Sequence, residues 1–189
     1  MEIKRIVVLG TSGSGKTTLA RNVAERYGIK HIELDLLFWK PGWATAAIPE
    51  FTQEIKKAIA ENESWVICGN YDEAKRLTLP IATDIIWLNY PLYVNLWRAL
   101  KRSIKRIITK EESFPGCPET FAHLFFSKQS ILLWVLKTQR LRQTELSKLL
   151  TKENFPNATI SIVRNSDEYN AVVGIKSAVG SAPQARPLN

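Results

Sequence analysis

Gly10-Thr11-Ser12-Gly13-Ser14-Gly15-Lys16-Thr17 decides how this chain is read. The octet fits G-x-x-x-x-G-K-[ST] at every position. It stands between two contrasting stretches. Before it, Ile3 to Leu9 is a short β-branched apolar run that reads as a buried strand. After it, Leu19, Ala20, Val23 and Ala24 recur at helical spacing, with Gly28 as a stop. A strand that turns on glycines into a helix aims backbone N–H groups and a helix N-terminus at one point, which makes an anion cradle. Lys16 adds a point charge for the β- and γ-phosphates, and the Thr17 hydroxyl is a Mg²⁺ ligand. Gly10, Thr11, Ser12, Gly13, Ser14, Gly15, Lys16, Thr17 and Thr18 are therefore expected to bind nucleotide, with ATP and Mg²⁺ as cofactors.

Outward from the loop, strands and helices alternate. Lys30 to Leu34 reads as a second strand closed by Asp35, and Pro49 opens a helix with Phe51, Ile55, Ala58 and Ile59 on one face. Ser64 to Cys68 is a third strand, Thr83 to Asn89 a fourth and Ala158 to Val163 a fifth. A long helix is expected from near Pro91 to about Thr109. Thr120 to Leu150 reads as one or two amphipathic helices, and Asp167 to about Val173 as a closing helix. Strands separated by helices call for a parallel sheet covered on both faces, an α/β fold. One domain over 1–176 follows, with a lid at about 107–130. The small, polar, proline-bearing stretch 177–189 is expected to be disordered.

The totals narrow the function. At 189 residues with 45% apolar content, one well-cored domain is expected. No apolar run is long enough to span a bilayer, and no signal peptide is read, so a cytoplasmic location is expected. Cys68 and Cys117 have no metal-ligand spacing and imply no disulfide framework. The net charge of +8 suits anionic ligands, namely nucleotides, phosphorylated small molecules or nucleic acid. Switch GTPases need Asn-Lys-x-Asp and transporter ATPases need Leu-Ser-Gly-Gly, and neither occurs. The glycine at position 13 gives a loop spacing frequent in small-molecule and nucleotide kinases.

Five further segments carry a resemblance: His31 to Trp43 (HIELDLLFWKPGW), Trp65 to Tyr71 (WVICGNY), Ile85 to Pro91 (IIWLNYP), Leu96 to Arg106 (LWRALKRSIKR) and Gly116 to Phe121 (GCPETF). Together they resemble the adenylate-kinase-related P-loop group labelled DNA topology modulation protein, within the nucleoside-monophosphate and shikimate kinase-like folds. The resemblance covers roughly residues 3–173. It implies a three-layer fold with a five-stranded parallel sheet in the order 2-3-1-4-5, an acceptor site over the strand ends and a helical lid after strand four. It also implies a kinase that moves phosphate from ATP to a small-molecule or nucleotide acceptor.

The candidate residues each have a plainer alternative. Asp35 is expected to hold metal or orient an acceptor hydroxyl, or else to cap a turn. Asn70, Tyr71 and Arg76 are expected to contact the acceptor, against a turn asparagine and a solvated arginine. Arg98, Arg102 and Arg106 share one helix face and are expected to hold the transferring phosphate; a solvated basic face or a nucleic-acid patch would use the same pattern. Arg140 and Arg142 are candidates to fold back onto the nucleotide. Trp39 and Trp43 flank Pro41-Gly42 and are expected to line the acceptor pocket. Trp65, Trp87, Trp97 and Trp134 are expected in the core.

Three positions depart from the pattern of related kinases. Cys68 stands where aspartate is common, Asn89 replaces another aspartate, and Leu92 follows Pro91 where arginine is frequent. A thiol and an amide do not supply negative charge to a cation. Thr17 and Asp35 then have to suffice for the metal. The alternatives are a nucleotide-dependent nucleic-acid-binding module and a homologue that binds nucleotide without transferring phosphate.

Overall fold

The structure, a computed structural model, describes residues 2–120 and 130–174. Its centre is β1 (Arg5–Gly10), where five of six residues are buried. β1 pairs in parallel with β3 (Trp65–Cys68) on one side and β4 (Asp84–Leu88) on the other. β2 (Lys30–Glu33) lies outside β3 and β5 (Thr159–Val163) outside β4, both parallel. The order β2-β3-β1-β4-β5 is the one the resemblance implied. All five strands therefore deliver their C-terminal ends, and the loops that follow, to one edge.

Alternation along the strands feeds two cores. Val7, Leu9, Ile67, Ile85 and Trp87 face α3 (Ile48–Ala60), α4 (Asp72–Thr78) and α6 (Ile131–Leu149), meeting Phe51, Ile55, Ala74 and Leu146. Ile6, Val8, Val66 and Ile86 face α1 (Lys16–Tyr27) and α7 (Ser166–Val173), meeting Leu19, Val23 and Val173. Phe51 and Ile55 are fully buried, worth about 1.5–3 kcal/mol each. α2 (Leu34–Phe38) follows β2 directly and leads into a small antiparallel hairpin, Trp39–Lys40 with Ala44–Thr45, around the 3₁₀ turn Pro41–Trp43.

α5 (Leu92–Thr109) carries three stripes. Small Asn95, Ala99 and Ser103 are its buried seam. Arg98, Arg102 and Arg106 form the neighbouring stripe, and Tyr93, Trp97 and Ile108 point to solvent. Two tryptophan expectations are thereby corrected. Trp97 is 66% exposed because its phase on α5 is off the seam, and Trp134 is 51% exposed because α6 turns it toward the cleft. Trp65 and Trp87 are buried as expected. The second strand also ends earlier than expected: Leu34 and Asp35 belong to α2. Within Thr120 to Leu150 the described helix is α6. Residues 121–129, part of the expected lid, and the expected tail 177–189 lie outside the described residues.

Candidate functional site

β1 ends on glycine, and the loop after it wraps onto the N-terminus of α1. Gly15, the residue before α1, is left-handed (φ 93°), and no side chain caps the helix. No acidic residue lies in its first turn. The first N–H groups of α1 therefore lack a side-chain partner, which favours an anion there. Gly13 has a different constraint. At φ 82°, a Cβ on it would lie 2.3 Å from the Asn95 carbonyl oxygen, so α5 packs directly on the loop backbone. Behind that contact the Asn95 amide donates to Gln139 Oε1 at 2.9 Å and to the Tyr90 carbonyl at 3.3 Å. Gln139 donates to the same carbonyl at 2.9 Å. A buried polar network thus holds the phosphate loop against the α5–α6 pair.

Ser12 to Thr18 line a cleft of about 1310 Å³ over the strand ends. Gly10 and Thr11, also expected at the nucleotide, are not among its lining residues. The Gly10 N–H donates to Asn70 Oδ1 at 3.2 Å, and the Asn70 amide donates back to the Gly10 carbonyl. Asn70 therefore secures the root of the loop, with both ends of its amide in use, although it reaches the cleft wall. Lys16 folds back onto the Thr11 carbonyl at 3.1 Å. Burial lowers its pKa to about 8, opposed by the nearby Asp35 carboxylate.

Beside Thr17 stands a residue that the motifs do not single out. The Thr17 hydroxyl donates to Glu33 Oε1 at 2.9 Å. Glu33 is the last residue of β2 and pairs in register with Cys68. A carboxylate is thus present one strand over from the position where aspartate is missing. The signal for it in the sequence is the spacing Glu33-Leu34-Asp35, two acids at alternate positions of a strand end. Cys68 itself is buried and lies 3.5 Å from His31 Nε2. Burial, helped by the Glu33 charge, pushes its thiol up to about 12, so it stays protonated and inert near neutral pH.

Across the cleft, Asp35 sits in the first turn of α2 and accepts from the Tyr71 hydroxyl at 2.6 Å. Burial, and then Asp35 itself, raise the Tyr71 pKa, so the phenol remains a donor. Around this pair stand rings from three segments: Phe38 with Tyr71 (centroids 4.7 Å apart), Trp39 with Trp43 (5.5 Å) and Trp43 with Phe114 (6.2 Å). The hairpin is tied to the loop after α5. The Gly42 N–H donates to the Gly116 carbonyl at 2.8 Å, Trp43 Nε1 to the Pro118 carbonyl at 3.1 Å, and the Cys117 thiol to the Lys40 carbonyl at 3.2 Å. Trp43 takes a left-handed backbone (φ 62°), rare for a bulky residue.

The arginines divide. Arg98 lies over the Tyr90 ring, 4.4 Å from its centroid, and donates to the Ser14 carbonyl at 3.4 Å. Arg106 is 3.0 Å from Glu119, which also accepts from Ser113. Burial disfavours the Glu119 charge, but hydrogen bonds from Ser113 and Arg106 help to outweigh it and keep its pKa below the usual range. Arg102 lines the cleft without a hydrogen bond or ion pair among the described residues, and Arg142 lies over the Trp134 ring, 5.7 Å from its centroid. Desolvation lowers the pKa of both. Arg76 and Arg140 are exposed and are not among the lining residues, so the structure does not bring them to the site. Asn89 accepts from Gln143 at 2.8 Å and braces α6, and Leu92 is the first residue of α5.

No family model matches the chain. Over 120 residues, 58% of its length, it is 31% identical to the cytidylate kinases of Pyrococcus abyssi and Pyrococcus furiosus. It spans 65% of the first and 61% of the second, under two thirds of either. The shikimate kinase of Acinetobacter baumannii, solved with shikimate, superposes with a TM-score of 0.56 at 14% identity, covering 91% of this chain and 89% of that one. The chain has the P-loop fold of the shikimate kinases, and its sequence is similar to that of cytidylate kinases.

Proposed function

We propose that this protein is a phosphotransferase that carries the γ-phosphate of ATP to the hydroxyl of a second molecule in the same cleft. The observation that carries this reading is the opposition, across one cleft, of an uncapped anion cradle around Lys16 and a carboxylate, Asp35, already oriented by Tyr71. A volume of about 1310 Å³ exceeds what one small ligand needs and has room for a donor and an acceptor. Similarity to kinases supports the same reading.

Ser12 to Thr18 bind the triphosphate through backbone N–H groups, and Lys16 moves from the Thr11 carbonyl to the β- and γ-phosphates. Thr17 and Glu33, an alcohol and a carboxylate in contact, are donors that fit Mg²⁺ and would hold it. There it would supply charge neutralisation between the phosphates. Asp35 takes the proton of the acceptor hydroxyl as its oxygen attacks the γ-phosphorus. The new O–P bond forms, the bond to the β-phosphate oxygen breaks, and ADP leaves. Arg98 and Arg102 face the charge that develops. With Glu33 beside Thr17, an uncharged Cys68 does not remove the only acid near the metal.

The test is ADP release from ATP·Mg²⁺ with a panel of nucleoside monophosphates, nucleosides, hydroxy acids and polyols. One acceptor should raise the rate well above background, and Lys16→Ala should lower that rate about 10²–10³-fold. Acceptor-independent hydrolysis alone across the panel would refute the proposal. A second reading rests on the outward face of α5, where Tyr93, Trp97, Lys101 and Lys105 are all exposed. Rings interleaved with lysines suit single-stranded nucleic acid. It predicts binding that falls steeply with salt and is lost in a Trp97→Ala, Lys101→Ala variant.

A further inference from the structure

We propose that Gln139, buried on α6 and outside the cleft lining, is a positioning residue that sets how tightly the phosphate loop holds a nucleotide. It acts through Tyr90 and Asn95, which fix where α5 stands against Gly13 and Ser14. The inference rests on the reading of the loop as a nucleotide cradle.

The loop is gripped at two successive residues, and both grips lead to Tyr90. The Asn95 carbonyl lies where a Cβ on Gly13 would stand. Arg98 donates to the Ser14 carbonyl at 3.4 Å, and its guanidinium lies over the Tyr90 ring. The Val94 and Asn95 N–H groups both donate to the Pro91 carbonyl. The Tyr90 carbonyl instead accepts from two side-chain amides, Asn95 at 3.3 Å and Gln139 at 2.9 Å. Gln139 Oε1 also accepts from the Asn95 amide at 2.9 Å. One glutamine of α6 thus holds both the residue before α5 and the first turn of α5.

Packing alone does not ask for amides here. Ala99 on α5 and Val135 on α6 are fully buried apolar residues, and leucine or methionine would fill the places of Asn95 and Gln139. The amides are costly at 1% and 3% exposure, and Asn95 Oδ1 has no hydrogen-bond partner among the described residues. What directional bonds supply, and apolar contact does not, is register. A slip of α5 by one residue moves it about 1.5 Å along its axis. That slip would carry the Asn95 carbonyl off Gly13 or into it, and Arg98 along the loop. It exceeds the tolerance of N–H groups that must all reach phosphate oxygens.

Calorimetric titration with ATP·Mg²⁺ and hydrogen exchange of segment 10–18, both on the full chain, test this. Gln139→Met keeps the bulk and removes both bonds. It should weaken ATP·Mg²⁺ about tenfold and speed exchange in segment 10–18 of the free protein. Val135→Ala removes apolar bulk one turn earlier on α6 and leaves these bonds in place. It should lower the melting temperature and change neither readout. Gln139→Glu adds a readout that lost stability does not move, and serves where the methionine variant melts early. Its protonated carboxyl donates to the Tyr90 carbonyl and accepts from Asn95 as the amide does; its ionised form has no proton to donate. Its affinity relative to the wild type should recover as pH falls from about 8 to about 5. Wild-type affinity in Gln139→Met, an equal loss in Val135→Ala, or unchanged exchange in segment 10–18 overturns the proposal. If the wild type binds ATP·Mg²⁺ in that case, the nucleotide reading stands and only the positioning role falls. If the wild type does not bind ATP·Mg²⁺ but Gln139→Met alone speeds exchange in the loop, the hold on the loop stands and the nucleotide reading falls.

Discussion

The two ends of the cleft are built differently. The proposed donor end is a continuous run from β1 through the loop to α1, and it presents backbone N–H groups fixed by glycines. The proposed acceptor end is assembled from side chains on α2, the 39–45 hairpin, the segment after β3, the loop after α5, and α6. Backbone geometry is local, so the donor end is set by one octet. Side-chain geometry at the acceptor end depends on packing among segments as far apart as Asp35 and Arg142. Under the proposed phosphotransfer, the first half is general in ligand and the second sets the acceptor.

If the halves are separable, Asp35→Asn should lower acceptor-dependent ADP release about 10²–10⁴-fold and leave ATP·Mg²⁺ affinity within a factor of a few. Equal loss of both, measured by turnover and calorimetry, would break the division. Gly13→Ala probes the point where the halves are physically joined. Its Cβ would meet the Asn95 carbonyl, a backbone atom with no room to yield, at a left-handed φ. We expect a loss of about 3 kcal/mol in urea unfolding, and a free substitution there would show that α5 does not lean on the loop.

The smallest expected effect is one of pH. Lys16 has its pKa lowered to about 8 by burial, below its unfolded value, so its charge costs the fold stability. The sign is set by proton counting: between about pH 8 and 10.5 the unfolded chain binds more protons, and stability rises with pH across that window. Lys16→Met should therefore raise the melting temperature by about 2–4 °C below pH 8, with the gain fading toward pH 10.5. A melting difference that does not change with pH would mean that the lysine is not strained by burial.

The strands and the phosphate loop were legible because period-two burial and a glycine-spaced motif are written in neighbouring residues. Asp35 was legible as an acid near the crevice but not as a helix residue, because its environment is set by Tyr71 packing from 36 positions away. Glu33 was missed because the spacing Glu33-Leu34-Asp35 shows two acids near a strand end but not that Thr17 touches the first of them. Asn70 read as an acceptor contact, whereas its amide is held by Gly10; only the β1–β3 pairing brings them together. Arg102 and Arg106 look alike in sequence and differ in the fold, because Glu119 forms its ion pair with Arg106.

The bond from the Trp43 indole to the Pro118 carbonyl joins segments 75 residues apart. An indole N–H bonded to that carbonyl emits at a different wavelength from a hydrated one, so any parting of hairpin and loop would shift the emission. The chain thus carries its own optical gauge of the cleft's rim, read in a protein whose other five tryptophans are replaced by phenylalanine.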